Sequence, residues 1–168
     1  MAQSRSELIE NVVKGSFHQG DTSLFCPNSV GGQCVPNCVI AGLYNSIVPV
    51  SRWTSDSLGN ILQQGDKLYN SIKKTNNLLQ VNDIGPQINA FQNTYNFHIG
   101  LEFFGRIGKH QLDNHIGSTL ENATFSVIQR KKKKELILCV GDEKGASASL
   151  LFRSQGHCYI FDPHSRNS

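Results

Sequence analysis

Cys34 and Cys38 stand four residues apart in the stretch GGQCVPNC, residues 31–38. A cysteine placed there could ligate a metal, close a disulfide or act as a nucleophile. Structural zinc sites want paired ligands at short spacing. Here the second pair is missing. Cys139 and Cys158 lie far apart, and the only adjacent ligand is His157, which on a strand points away from Cys158. Five cysteines is an odd number, and the 168-residue chain is long enough to bury a core without staples. The opening MAQSRSELIENVV lacks the apolar region of a secretory signal. Free thiols in an intracellular, reducing compartment (cytoplasmic or nuclear) are therefore expected, with no metal and no cofactor.

A thiol reacts as its thiolate, and the start of a helix favours that form. Cys34 sits where a loop rich in Gly, Asp, Ser, Asn and Pro gives way to an apolar period of three to four: Cys38, Val39, Gly42, Leu43 and Ile47. Pro36 fits a first helical turn, where its missing N–H costs nothing. Gly31 and Gly32 remove side-chain bulk just upstream. Cys38 falls on the apolar face and reads as a small buried hydrophobe. Cys34 is expected to be the reactive, exposed thiol and Cys38 part of the core.

A cysteine nucleophile needs a base, and the base needs an orienting partner. Six histidines are available, and His164 in HCYIFDPHSR stands out because Asp162 lies two residues before it. On extended backbone, residues i and i+2 share a face. Pro163 fixes its own φ and biases Asp162 towards extended geometry. A carboxylate so placed can hold the imidazole's tautomer and orientation, as a catalytic triad requires. Gln19, in FHQGD on the loop before Cys34, could pair its side-chain N–H with the backbone N–H of Cys34 to bind an oxyanion.

Taken together, HQGD, GGQCVPNC and YIFDPHSR resemble the ubiquitin-specific cysteine protease at the N-terminus of herpesvirus large tegument proteins, and the tegument-like deubiquitinases found outside viruses. The three motifs span residues 18 to 166. The resemblance implies a papain-like α+β fold and cleavage of isopeptide or peptide bonds after the C-terminal glycine of ubiquitin. Position by position, Cys34 matches the nucleophile, His164 the base, Asp162 its orienting acid and Gln19 the oxyanion residue. Ubiquitin or polyubiquitin chains are the implied partners. The narrow channel such a tail needs makes Gly31, Gly32 and Gly156 candidates for its walls. The chain stops four residues after His164, where such folds would be expected to continue, so an excised catalytic domain of a longer protein is expected.

The elements that must carry these residues read as helices first and strands later. SELIENVVKG suggests a short helix capped by Ser6. A helix of about three turns is expected from Cys34, ended by Pro49. A second is expected within 54–74, with Leu58, Ile61, Leu62, Leu68, Tyr69 and Ile72 as its stripe and two internal glycines that weaken it. A third is expected within 81–95, capped near Asn82 or Asp83, with Ile84, Ile88 and Phe91 on one side. The period then drops to two. FHIGLEFFG, FSVIQ, ELILCVGD, ASLLFRS and HCYIFDP read as strands, with HQLDNHIGSTLENA as a mixed stretch between. The expectation is a single α+β domain over 1–168, with N-terminal helices packed on a C-terminal antiparallel sheet.

Composition excludes other classes. A net charge of +3 is too small to argue for nucleic acid. The four lysines at 131–134 lack interleaved aromatics and read as a solvated hairpin turn. No apolar run approaches a membrane span. A monomer without nucleic-acid or membrane partners is expected. Rival readings are a protease for another ubiquitin-like modifier, a catalytically weak ubiquitin-binding module, and a nucleic-acid or acidic-surface binder using the lysine run.

Overall fold

The computed structural model describes residues 13–21, 23–25, 32–72, 79, 81–97, 135–142, 145–154 and 157–164. Helix α1 spans Cys34–Ile47. Its first nine residues, Cys34 through Gly42, are all buried, which a helix tolerates only when neighbours cover it on every side. The sequence supplies this with Val35, Cys38, Val39, Ile40 and Ala41 in one run. Four turns form rather than three, and Val48 turns extended just before Pro49.

Helix α2 spans Ser55–Ser71 and begins in a capping box. The Ser57 N–H donates to Thr54 Oγ1 at 3.3 Å, and the Thr54 N–H donates to Ser57 Oγ at 3.1 Å. Two orphan donors of the first turn are thereby satisfied. Its buried stripe is Ser57, Gly59, Ile61, Leu62, Gly65 and Leu68, so both internal glycines face inward. Leu58 and Tyr69 are only partly covered.

The third expected helix does not form. A 3-10 turn at Val81–Asp83 leads into a hairpin, β1 (Gln87–Ala90) and β2 (Asn93–Asn96), paired antiparallel with Ile88 opposite Tyr95. Pro86 blocks helix propagation, and Gln87 to Ala90 alternate exposed and buried. The turn places Phe91 (φ 49°) and Gln92 (φ 63°) in the left-handed region. That matches the two-residue turn favoured between twisted strands, without the usual Asn-Gly. Phe91 is held there by its ring, 5.1 Å from Tyr44. The Phe97 N–H closes the hairpin on the Pro86 carbonyl at 2.8 Å.

Strands β3 (Glu135–Asp142), β4 (Gly145–Ser154) and β5 (His157–Phe161) form an antiparallel sheet in that order. Leu150 faces Ile137 on one side and Phe161 on the other. These strands match three of the stretches with period two. Helix α1 packs against α2 and against β4, so it lies between the second helix and the sheet. The core contains Ile40, Ile61, Ile88 and Leu150, each at most 1% exposed. Trp53 joins the helical layer to β5 through an edge contact with Phe161 at 6.3 Å. The observed architecture is α+β with antiparallel sheets.

Residues 6–12 of the expected N-terminal helix lie outside the described residues, and its last three, 13–15, are not helical. Residues 98–105 of the strand expected at 97–105, the strand expected at 125–129, the mixed stretch at 110–123 and the lysine run also lie outside the described residues. No described helix is long and apolar enough to cross a membrane.

Candidate active site

Cys34 is the first residue of α1, preceded by Gln33. Its backbone N–H is one of the first four of the helix, which have no partner within it. The side chain is 3% exposed, so the thiol is not open to solvent as expected but enclosed where α1 begins. Cys38, one turn on, is fully buried in the core, as its place on the apolar face implied. Neither forms a disulfide.

His164 follows β5 by three residues and brings its imidazole within hydrogen-bonding reach of the Cys34 thiol. Its Nδ1 lies 2.7 Å from Asp162 Oδ1. The His164 backbone N–H donates to the same oxygen at 3.1 Å. One carboxylate thus fixes both the ring and the main chain that carries it. The pairing expected from the sequence is present, but it forms in an Asx-type turn just past the end of β5 rather than along an extended strand. With Nδ1 facing the carboxylate, Nε2 is the nitrogen left for the thiol. The hydrogen bond with Cys34 first, and then that with Asp162, hold the His164 imidazole above its ordinary value of 6.5, against the opposing effect of burial.

Gln19 reaches the same place from the HQGD loop. That loop is a tight turn, in which the Asp21 N–H donates to the His18 carbonyl at 3.0 Å and the Gly20 N–H donates to His18 Nδ1 at 3.0 Å. Asp21 Oδ1 accepts from the Ser23 N–H and hydroxyl, which hold its carboxyl below the usual range. The outcome is that His18 is exposed and Gln19 buried. The Gln19 N–H then donates to the Pro163 carbonyl at 3.4 Å, tying the loop to the residue before His164.

Three contacts around the thiol were not anticipated. Asn37 Nδ2 donates to Gln19 Oε1 at 3.1 Å, with Asn37 fully buried. Gln33 Nε2 donates to Asp66 Oδ1 of α2, and Asn70 Nδ2 donates to Asp66 Oδ2 at 3.1 Å. Gly65, beside Asp66, gives Asn37 its space. One signal pointed this way: Asn is a poor residue for a helix interior, and Asn37 sits in a helix flanked by apolar neighbours.

The structure therefore brings all four expected residues, Gln19, Cys34, Asp162 and His164, to one place. Gly32 is buried beside them, whereas Gly31 and Gly156 lie outside the described residues. Among the described residues no cluster of ligating side chains could hold a metal ion. A thiol, an imidazole and a carboxylate in sequence, next to a helix start with free N–H groups, are chemically competent for nucleophilic acyl transfer.

The chain belongs to the family described as herpesvirus tegument protein, N-terminal conserved region, whose model matches residues 14–168. In fold it is similar to the ubiquitin-specific protease encoded by a murine cytomegalovirus tegument protein, solved in complex with a ubiquitin-based suicide substrate. The TM-score is 0.64 at 15% identity, covering 92% of this chain and 68% of that one. No curated protein matches the chain in sequence.

Proposed function

We propose that this protein is a thiol-dependent deubiquitinase with a papain-like fold, acting on ubiquitin or polyubiquitin conjugates. The observation that carries the reading is the Cys34–His164–Asp162 line at the start of α1. It sits in a fold similar to that of a viral protease captured with a ubiquitin-based substrate.

In this reading Cys34 Sγ attacks the carbonyl carbon of ubiquitin's last glycine while His164 accepts the thiol proton. The carbonyl oxygen becomes an oxyanion, met by the backbone N–H of Cys34 and by Gln19 Nε2. Collapse breaks the C–N bond, and the imidazolium returns its proton to the leaving lysine amine. A water, deprotonated by His164, then hydrolyses the thioester and restores the thiol. Asp162 keeps Nδ1 protonated and the ring aligned throughout. The cycle uses only side chains, backbone N–H groups and water.

Ubiquitin carrying a C-terminal electrophile should form a covalent adduct at Cys34 and not at Cys38, read by intact mass and peptide mapping. Parallel fluorogenic substrates made from ubiquitin and from other modifiers separate the deubiquitinase from a protease for a related modifier. A folded protein that captures no ubiquitin probe would refute the assignment.

A further inference from the structure

We propose that Asn37 is a positioning residue that sets the orientation of the Gln19 carboxamide, and so decides which end of it faces the reacting carbonyl. The inference rests on reading Gln19 as an oxyanion donor.

A carboxamide has a donor end and an acceptor end, and only the donor end can stabilise an oxyanion. Gln19 is 4% exposed, so solvent does little to choose between them. Asn37 makes the choice. Its Nδ2 can only donate, and it donates to Gln19 Oε1 at 3.1 Å. The oxygen of Gln19 is thereby turned away from the site, and Nε2 is the other end. Among the described residues no hydrogen bond takes up that Nε2.

Asn37 is itself enclosed. It lies one turn after Cys34 on α1 and is fully buried. Its Oδ1 faces Gly65 of α2, where a Cβ would overlap it, and has no hydrogen-bond partner among the described residues. An unpaired buried oxygen is destabilising, yet here it accompanies a donor aimed at Gln19. Burial of a group with this cost, one turn from the nucleophile, is explained by a task in the site. The backbone of Gln19 is meanwhile pinned to Pro163, so only the side-chain amide is left to orient.

The test uses two variants and two reactions. Asn37→Asp is assayed at a pH high enough to ionise the buried carboxyl, which can then only accept, so Gln19 must turn Nε2 towards it and away from the site. Asn37→Ala removes the constraint and leaves Gln19 free to adopt either orientation. Acyl transfer is followed with ubiquitin–aminomethylcoumarin and, independently of ubiquitin, with p-nitrophenyl acetate. Alkylation of Cys34 by iodoacetamide is followed alongside. It needs the thiol and its base but develops no oxyanion.

Acyl-transfer kcat should fall by about 10²–10³ in Asn37→Asp, the loss expected for one oxyanion donor. The fall in Asn37→Ala should be smaller. KM and the alkylation rate should stay near wild type. Adding Gln19→Ala to either variant should cost less than it does in the wild-type background, because the two residues act as a unit. If Asn37→Asp does not fold, the Asn37→Ala cycle with Gln19→Ala decides alone. Unchanged acyl transfer, fully additive losses, or an equal fall in alkylation would overturn the proposal. Activity on the ester but none on the ubiquitin substrate would refute the deubiquitinase reading, while the ester arm still judges Asn37.

Discussion

Gly65 of α2 approaches Asn37 of α1 so closely that a Cβ at position 65 would overlap Asn37 Oδ1 and stand 2.9 Å from its Cγ and 3.1 Å from its Cα. An interior helical glycine normally costs about 1 kcal/mol relative to alanine. At this position the sign should reverse. Gly65→Ala is expected to destabilise by about 1–3 kcal/mol, the usual cost of overpacking. Exposed Asn60, on the same helix, provides the contrast: Asn60→Ala should gain about 0.5 kcal/mol. Urea unfolding of both variants tests this, and a Gly65→Ala protein as stable as wild type would show that the helices do not meet as described.

The raised titration of His164 gives a pH dependence with a definite sign. Its partners Cys34 and Asp162 favour the charged imidazole in the folded chain. The stabilisation they lend is therefore complete below the unfolded value near 6.5 and is lost as pH rises through the higher folded value. NMR titration of the His164 ring should give a midpoint above 6.5. Both Cys34→Ala and Asp162→Asn should lower it. A midpoint below 6.5 in the wild-type protein would contradict the contact with the thiol.

The hairpin turn carries strain that can be relieved. Gln92 holds φ at 63° with an exposed side chain, and left-handed backbone costs a non-glycine residue about 1 kcal/mol or more. Gln92→Gly should raise stability by up to about 1 kcal/mol in thermal or urea unfolding without altering activity. Phe91→Gly should do the opposite, because the ring against Tyr44 is lost with the strain. Destabilisation by Gln92→Gly would mean that the turn is not of this type.

How much of this was legible depended on whether the signal was local. The helix beginning at Cys34, the helix within 54–74 and the three strands from Glu135 to Phe161 are each written in neighbouring residues, and each appeared close to its expected place. The Asp162–His164 pair was legible for the same reason, since Pro163 makes a local geometry almost compulsory. The hairpin at 87–96 was missed because Ile84, Ile88 and Phe91 satisfy a helical spacing. Pro86, and the alternation it permits, outweighed that spacing. Asn37, Gly65 and Asp66 could not be placed from the sequence. Their meaning lies in the contact between two helices, and that contact has no counterpart in either helix alone. The glycine that weakened the case for α2 is the residue that lets α1 carry its asparagine.

The relative severity of substitutions at the site separates the mechanism from family likeness. Cys34→Ala removes the nucleophile and should abolish turnover in a folded protein. His164→Ala should come next, because the thiol loses the base that its geometry provides. Asp162→Asn keeps an oxygen for the His164 N–H but no longer enforces the tautomer. Its loss should be smaller than in a serine enzyme, since a thiol needs less help from its base. Gln19→Ala should lower kcat by about 10²–10³ with KM little changed, because the donor acts only once charge develops on oxygen. Cys38→Ala stands apart. It deletes packing in the core, costs about 1 kcal/mol of stability and leaves turnover intact. Steady-state kinetics on a ubiquitin fluorogenic substrate, with unfolding curves for each variant, resolves the order. Near-normal turnover by His164→Ala would end the Cys-His reading whatever the fold resembles. Near-normal turnover by Gln19→Ala would leave the oxyanion to backbone N–H groups at the start of α1.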